Sequence, residues 1–184
     1  MEISYSRKEF LTEFFKLFRA IMTHEEPQQN RYLLPPGAKS KQLFLNNCSL
    51  CYACVSVCPH ESIRVCHDAN SDLNGYPVIQ PQIQSCFICS DFPCVTVCQD
   101  GALDRDWVQK PLGYAKINPE SCFAYHHSIC QSCISSCPRS GVAISRGTNG
   151  YPVINVENCY GCGICQNVCP ANPAGIYIQI STAS

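Results

Sequence analysis

"CYGCGICQNVCP" at residues 159–170 and "CSLCYACVSVCP" at residues 48–59 share one spacing, C-x₂-C-x₂-C-x₃-C-P. In bacterial runs of this kind, three closely spaced thiolates hold one [4Fe–4S] cube and the fourth cysteine ligates a partner cluster. Three ligands wrap one face of a cube only from a tight irregular loop. The fourth, set off by three intervening residues at a helix start, points away toward a second cube. The proline that follows suits this geometry, because it has no backbone N–H to satisfy.

Two further groups lie between these runs. Cys86, Cys89, Cys94 and Cys98 read C-x₂-C-x₄-C-x₃-C. In "CFAYHHSICQSCISSCP" (122–138), Cys130, Cys133 and Cys137 keep the ordinary tail, but seven residues separate Cys122 from Cys130. Four fours account for sixteen of the 17 cysteines, and Cys66 is left over. A disulfide framework rarely repeats C-x₂-C-x₂-C-x₃-C-P twice. Paired zinc knuckles would use C-x₂-C twice per site and leave the x₂, x₂, x₃ order unexplained. Four [4Fe–4S] clusters are the reading that uses every group.

Composition agrees that something other than apolar packing staples the chain. It has 184 residues and is 46% hydrophobic with the cysteines counted in. Without them the fraction falls to roughly 37%, thin for a core built from apolar side chains alone. Thirteen basic against 14 acidic residues give a formal charge of −1, so there is no electrostatic footprint for nucleic acid. No apolar run approaches the roughly 20 residues of a transmembrane helix. Oxidised cubes with four thiolates carry about −2 each, which would take the loaded protein to about −9.

Short segments recur around the cysteines. "NGYPVIQPQIQSC" (74–86), "LGYAKINPESC" (112–122) and "NGYPVINVENC" (149–159) lead into groups two, three and four. "ESIRVC" (61–66), "DGAL" (100–103), "GVAIS" (141–145) and "AGIYIQI" (174–180) follow the four groups in turn. Each reads as a short strand bounded by turn residues. The repeat is therefore strand, cluster loop, short helix, strand, and two repeats make one two-cluster ferredoxin module. The expected fold class is α+β, with two bacterial-type 2[4Fe–4S] modules over residues 42–184. Because the outer motifs share one spacing and the inner two deviate, a nested pairing is expected. Cys48, Cys51 and Cys54 would be joined by Cys169, and Cys159, Cys162 and Cys165 by Cys58. Cys86, Cys89 and Cys94 would be joined by Cys137, and Cys122, Cys130 and Cys133 by Cys98.

The order of unequal spacings, in "CFICSDFPCVTVCQDGAL", the stretched "CFAYHHSICQSCISSCP" and the closing "CYGCGICQNVCP", resembles one family. It is the four-cluster ferredoxin-type proteins that accompany periplasmic nitrate reductase and methylamine dehydrogenase (the NapG, NapF and MauM type). "LLPPGAKSKQLFLNNC" (33–48) is similar to their lead-in, and Gln99 departs from their proline after the second group. The resemblance implies a double ferredoxin fold, four [4Fe–4S] clusters, and electron transfer to, or maturation of, a larger redox enzyme.

Members of that family carry a twin-arginine export signal. Here Ser6-Arg7-Lys8-Glu9-Phe10-Leu11 resembles it with lysine in place of the second arginine, while Glu13, Lys16 and Arg19 interrupt the apolar stretch that must follow. The expectation is a cytoplasmic protein lacking a functional export signal. Phe10, Leu11, Phe14, Phe15, Leu17, Phe18, Ile21 and Met22 recur at helical spacing and predict an amphipathic helix over 1–23, with a linker over 24–41. Such a face can pack on its own body or dock a partner subunit or a second copy of the chain, with Phe10, Phe14, Phe15 and Phe18 as anchors.

No catalytic constellation stands out, so the chain reads as a component of an oxidoreductase complex and not itself an enzyme. Amide groups aimed at cluster sulfurs favour the reduced state and burial disfavours it; Gly161 and Gly163 suit close approach of such amides. Tyr52 and Phe87, each just after a ligand, are expected to shield their cubes, and His60 to sit at the surface or beside one cluster. His126 and His127 are not needed as ligands once sixteen cysteines are used, and Cys66 reads as a small buried hydrophobe. Two functional classes follow. One is an electron relay between a catalytic subunit, such as a molybdenum or tungsten aldehyde oxidoreductase, and an acceptor or flavin subunit. The other is an assembly factor for cofactor or cluster insertion.

Overall fold

The structure, a computed structural model, describes residues 31–126 and 128–180. The helix expected over 1–23, with Phe10, Phe14, Phe15 and Phe18, and also His127, lies outside the described residues.

The described chain is mixed helix and strand, arranged as two similar halves. In the first, α1 (Lys41–Asn47) precedes the first cysteine loop and is capped by Ser40, whose Oγ accepts from Leu43 N–H at 3.2 Å. Then come α2 (Ala53–Ser56), β1 (Ile63–Val65), β2 (Pro77–Ile79) and α3 (Pro93–Thr96). β1 and β2 form an antiparallel hairpin in which Ile63 faces Ile79. Pro77 opens β2, a position where its missing N–H costs no ladder bond. The second half runs β3 (Tyr114–Ile117), α4 (Ser132–Ser135), β4 (Ile144–Arg146), β5 (Pro152–Ile154), α5 (Ile164–Asn167) and β6 (Ile176–Gln179). β4 and β5 repeat the hairpin with Ile144 opposite Ile154, while β3 and β6 close the half by antiparallel pairing of Tyr114 with Gln179.

Six of the seven expected strand segments around the loops are strands. "DGAL" is not. Ala102 and Leu103 there are buried, and Asp104 N–H donates to Gly37 O at 2.9 Å, so one bond does the work of the outer ladder. Gly37 is required for it: a Cβ would come within 2.8 Å of Asp104 O, and its φ is +88°.

The linker expected over 24–41 is corrected in its described part. Leu33 pairs with Ile79 through two backbone bonds of 2.8 Å, and Leu33, Pro35 and Pro36 are fully buried. Apolar Leu and Pro side chains without charges among them gain more from joining the core than from spanning solvent. In the larger of two buried clusters, Leu33, Phe44, Ile63 and Ile79 of the first half join Ile144, Ile176 and Ile178 of the second, with cysteines interleaved.

Candidate metal centres

Each helix after a cysteine loop is a single turn, and in the first, second and fourth groups the loop before it is forced through left-handed backbone. Leu50, Ile88 and Gly161 each stand two residues after the first cysteine of their loop, with φ of 60°, 51° and 73°. For leucine and isoleucine this conformation is costly, and surrounding structure must hold it. Its effect is to turn amides toward sulfur: the backbone N–H of Leu50 serves Cys48, and that of Ile88 serves Cys86. Further amides reach the fourth cysteines and beyond. Ser62 N–H lies 3.3 Å from Cys58 Sγ, Gly175 N–H 3.2 Å from Cys169 Sγ, and Ala115 N–H 3.4 Å from Cys159 Sγ.

These loops bring the sixteen cysteines into four sets. Cys98 lies among Cys48, Cys51 and Cys54. Cys58 lines a hollow with Cys86, Cys89 and Cys94. Cys169 lines another with Cys122, Cys130 and Cys133. Cys137 lines a third with Cys159, Cys162 and Cys165. The nested arrangement is therefore corrected: Cys58 does not stand with the fourth group, nor Cys169 with the first, and Cys98 and Cys137 are likewise exchanged. The reason is connectivity. The β1–β2 hairpin joins groups one and two and the β4–β5 hairpin joins groups three and four, so consecutive loops meet with little loop-closure entropy.

The donor chemistry fits iron–sulfur cubes. Burial first, and neighbouring cysteines second, push the thiols of Cys54 and Cys94 up to about 12 and that of Cys133 to about 11. Burial also raises Cys86 to about 12 and Cys165 well above the ordinary thiol range. Crowded sulfurs of this kind become thiolates only when a cation shares the site. Among the described residues no three His, Cys, Asp or Glu side chains converge on a single-ion site.

The described residues of the stretched third loop make regular contacts. Phe123–His126 form a 3₁₀ turn, Tyr125 stacks on Tyr151 at 4.1 Å, and His126 Nε2 lies 2.8 Å from Glu120 O. His126 is thus engaged with the loop itself. Phe87 lines the second hollow and stacks on His60 at 4.3 Å, a pair placed to cover that site. Tyr52 instead donates to Gly75 O at 3.2 Å, tying α2 to the hairpin turn. Cys66 follows β1, is 1% exposed, and packs with Leu73 and Val78 away from the four sets. Sequence reasoning missed Tyr160, which lies near Cys86, Cys94 and Cys162. It also missed Asp100, near Cys48.

Residues 43–64 and 150–171 each match the 4Fe-4S binding domain family. With the four-cysteine sets, this defines the chain as a ferredoxin-type iron–sulfur protein that binds [4Fe–4S] clusters. It is 32% identical over 170 residues to the methylamine utilization ferredoxin-type protein MauM of Paracoccus denitrificans, covering 86% of this chain and 76% of that protein. It is 31% identical over 151 residues to the ferredoxin-type protein NapG of Escherichia coli, covering 74% and 65% respectively. To NapF of the same organism it is 25% identical over 161 residues, or 84% of this chain and 90% of that one. The chain belongs to this MauM and NapG family of ferredoxin-type proteins. Among the described residues, no helix is long and apolar enough to cross a membrane.

Proposed function

We propose that this protein is an electron relay with four [4Fe–4S] clusters, serving a larger oxidoreductase. The first cluster is held by Cys48, Cys51, Cys54 and Cys98, and the second by Cys58, Cys86, Cys89 and Cys94. The third is held by Cys122, Cys130, Cys133 and Cys169, and the fourth by Cys137, Cys159, Cys162 and Cys165. The observation that carries this reading is that every set is complete, so no cysteine ligand is left for the client to supply. The bound cubes supply one-electron chemistry. The chain's own residues fix them, aim amides at their sulfurs and exclude water. MauM relatives are named for methylamine utilization. The client proposed here is of the same broad kind, a larger redox enzyme; a molybdenum or tungsten aldehyde oxidoreductase with a flavin subunit remains the specific candidate.

Anaerobic purification with iron and acid-labile sulfide analysis tests the reading, with about sixteen irons per chain expected. Co-purification follows: a relay comes down in fixed stoichiometry with its oxidoreductase and is needed in every turnover. A client that keeps full electron throughput after this chain is removed would make it an assembly factor instead.

A further inference from the structure

The two halves meet at one dense seam. Cys86 N–H donates to Cys162 O at 3.0 Å, so a ligand of the second site is bonded through its backbone to a ligand of the fourth. Leu112 N–H donates to Tyr160 O at 2.8 Å, and Asn167 Nδ2 to Pro81 O at 3.1 Å. Gly163 lies so close to Pro81 that a Cβ would come within 2.6 Å of it. In this seam the half-buried Tyr160 follows Cys159 of the fourth site while its phenol lies near Cys86 and Cys94 of the second. Its O–H donates to Val108 O at 2.5 Å, which fixes the ring.

We propose that electrons cross between the halves where the second and fourth sites meet, and that Tyr160 holds and dries that crossing. This rests on the relay reading above. It sets the order of sites as first, second, fourth, third, with Cys51, the exposed ligand of the first set, at one end. At the crossing one electron leaves a reduced cluster at one site for an oxidised cluster at the other. No bond is made or broken, and no proton need accompany it. Tyr160 is a positioning residue: its ring lines the fourth hollow with Cys86 and Cys94 of the second set nearby, and keeps water from the crossing between them.

An EPR-monitored redox titration of the anaerobically purified full chain tests this, beside Tyr160→Phe and Tyr160→Leu, with signals assigned through single ligand variants of each set. Tyr160→Phe keeps the ring and all four midpoints. Tyr160→Leu admits water, which favours the more highly charged reduced state. The second and fourth midpoints then rise together while the first and third hold. Unmoved midpoints in Tyr160→Leu, or a shift confined to the first and third, overturn the role of Tyr160.

If Tyr160→Leu does not load its clusters, a measurement with the native tyrosine decides. In the fully reduced chain the fourth cluster is magnetically coupled to the second. Cys89→Ala, which removes the second, therefore changes the spectrum of the fourth more than that of the third. A response of the third alone overturns the crossing. Fewer than about sixteen irons in the unaltered chain is a different result, and strikes the relay reading itself.

Discussion

Ser49 Oγ donates to Asp100 Oδ2 at 2.5 Å across 51 positions of sequence, tying the loop of the first cysteine group to the tail of the second. The bond holds the Asp100 carboxylate beside Cys48, where, after burial and neighbouring cysteines, it further disfavours negative charge on sulfur. An anion there opposes the added electron. Asp100→Asn is expected to raise the midpoint of the first cluster and leave the others in place. Asp100 is exposed, so screening limits the effect to roughly threefold to tenfold in the reduction equilibrium, about 30–60 mV. A titration in which all four midpoints coincide with those of the unaltered protein would refute it.

Loading the sites must expel protons. Cys54, Cys86 and Cys94 are pushed up to about 12 and Cys133 to about 11, so all are neutral thiols near pH 7 in the metal-free fold. Thiolates are the ligands, so reconstitution with iron and sulfide should speed up as pH rises from about 7 to 9. The sign for stability is opposite. Folded values above the ordinary 9.0 mean that the metal-free fold is undiminished below about pH 9 and loses stability as pH climbs toward 12. Urea midpoints measured from pH 8 to 10.5 should fall for the metal-free protein and stay level for the loaded one. Parallel curves would refute this.

Gly161 has φ +73° and its α-carbon abuts the backbone of Gly113, so a Cβ has no space. Gly161→Ala combines left-handed strain with overpacking against main chain, about 2–4 kcal/mol together. Chemical denaturation of the loaded protein reads this loss directly, and a change below about 0.5 kcal/mol would contradict the close packing described.

The Tyr125–Tyr151 stack anchors the stretched loop to the turn that enters β5. Tyr125→Ala removes about 0.5–1.5 kcal/mol of ring–ring attraction beyond the lost area. It should make the third cluster, with the fourth that shares its half, the first to bleach under mild oxidant. Bleaching of all four clusters at unchanged relative rates would show that the loop holds itself.

The cysteine groups were legible because cluster binding dictates residue type and short-range spacing together. All sixteen cysteines fall into the four sets for that reason, and six strands follow from the Tyr-Pro-Val and Ile-rich segments beside them. Pairing was not legible, because spacing describes how one loop bends and carries nothing about which loop it faces. The hairpins at 63–79 and 144–154 decide that. The Leu33-to-Ala38 stretch misled for another reason: two prolines and a glycine look like punctuation, yet Pro35 and Pro36 are fully buried. Tyr160 could not be told from Tyr52 by sequence, since both are tyrosines directly after a cysteine. One closes a seam between halves and the other pins a turn.

The exchanged fourth cysteines have a consequence for how the protein fails. Cys58 leaves the first loop to complete the second site, and Cys98 returns the favour. Neither site can be taken apart without tugging the helix turn that anchors its neighbour, and the same reciprocity binds Cys137 and Cys169. Oxidative attack on one cube should therefore cost the chain its clusters in twos, leaving one intact half as the characteristic remnant of damage.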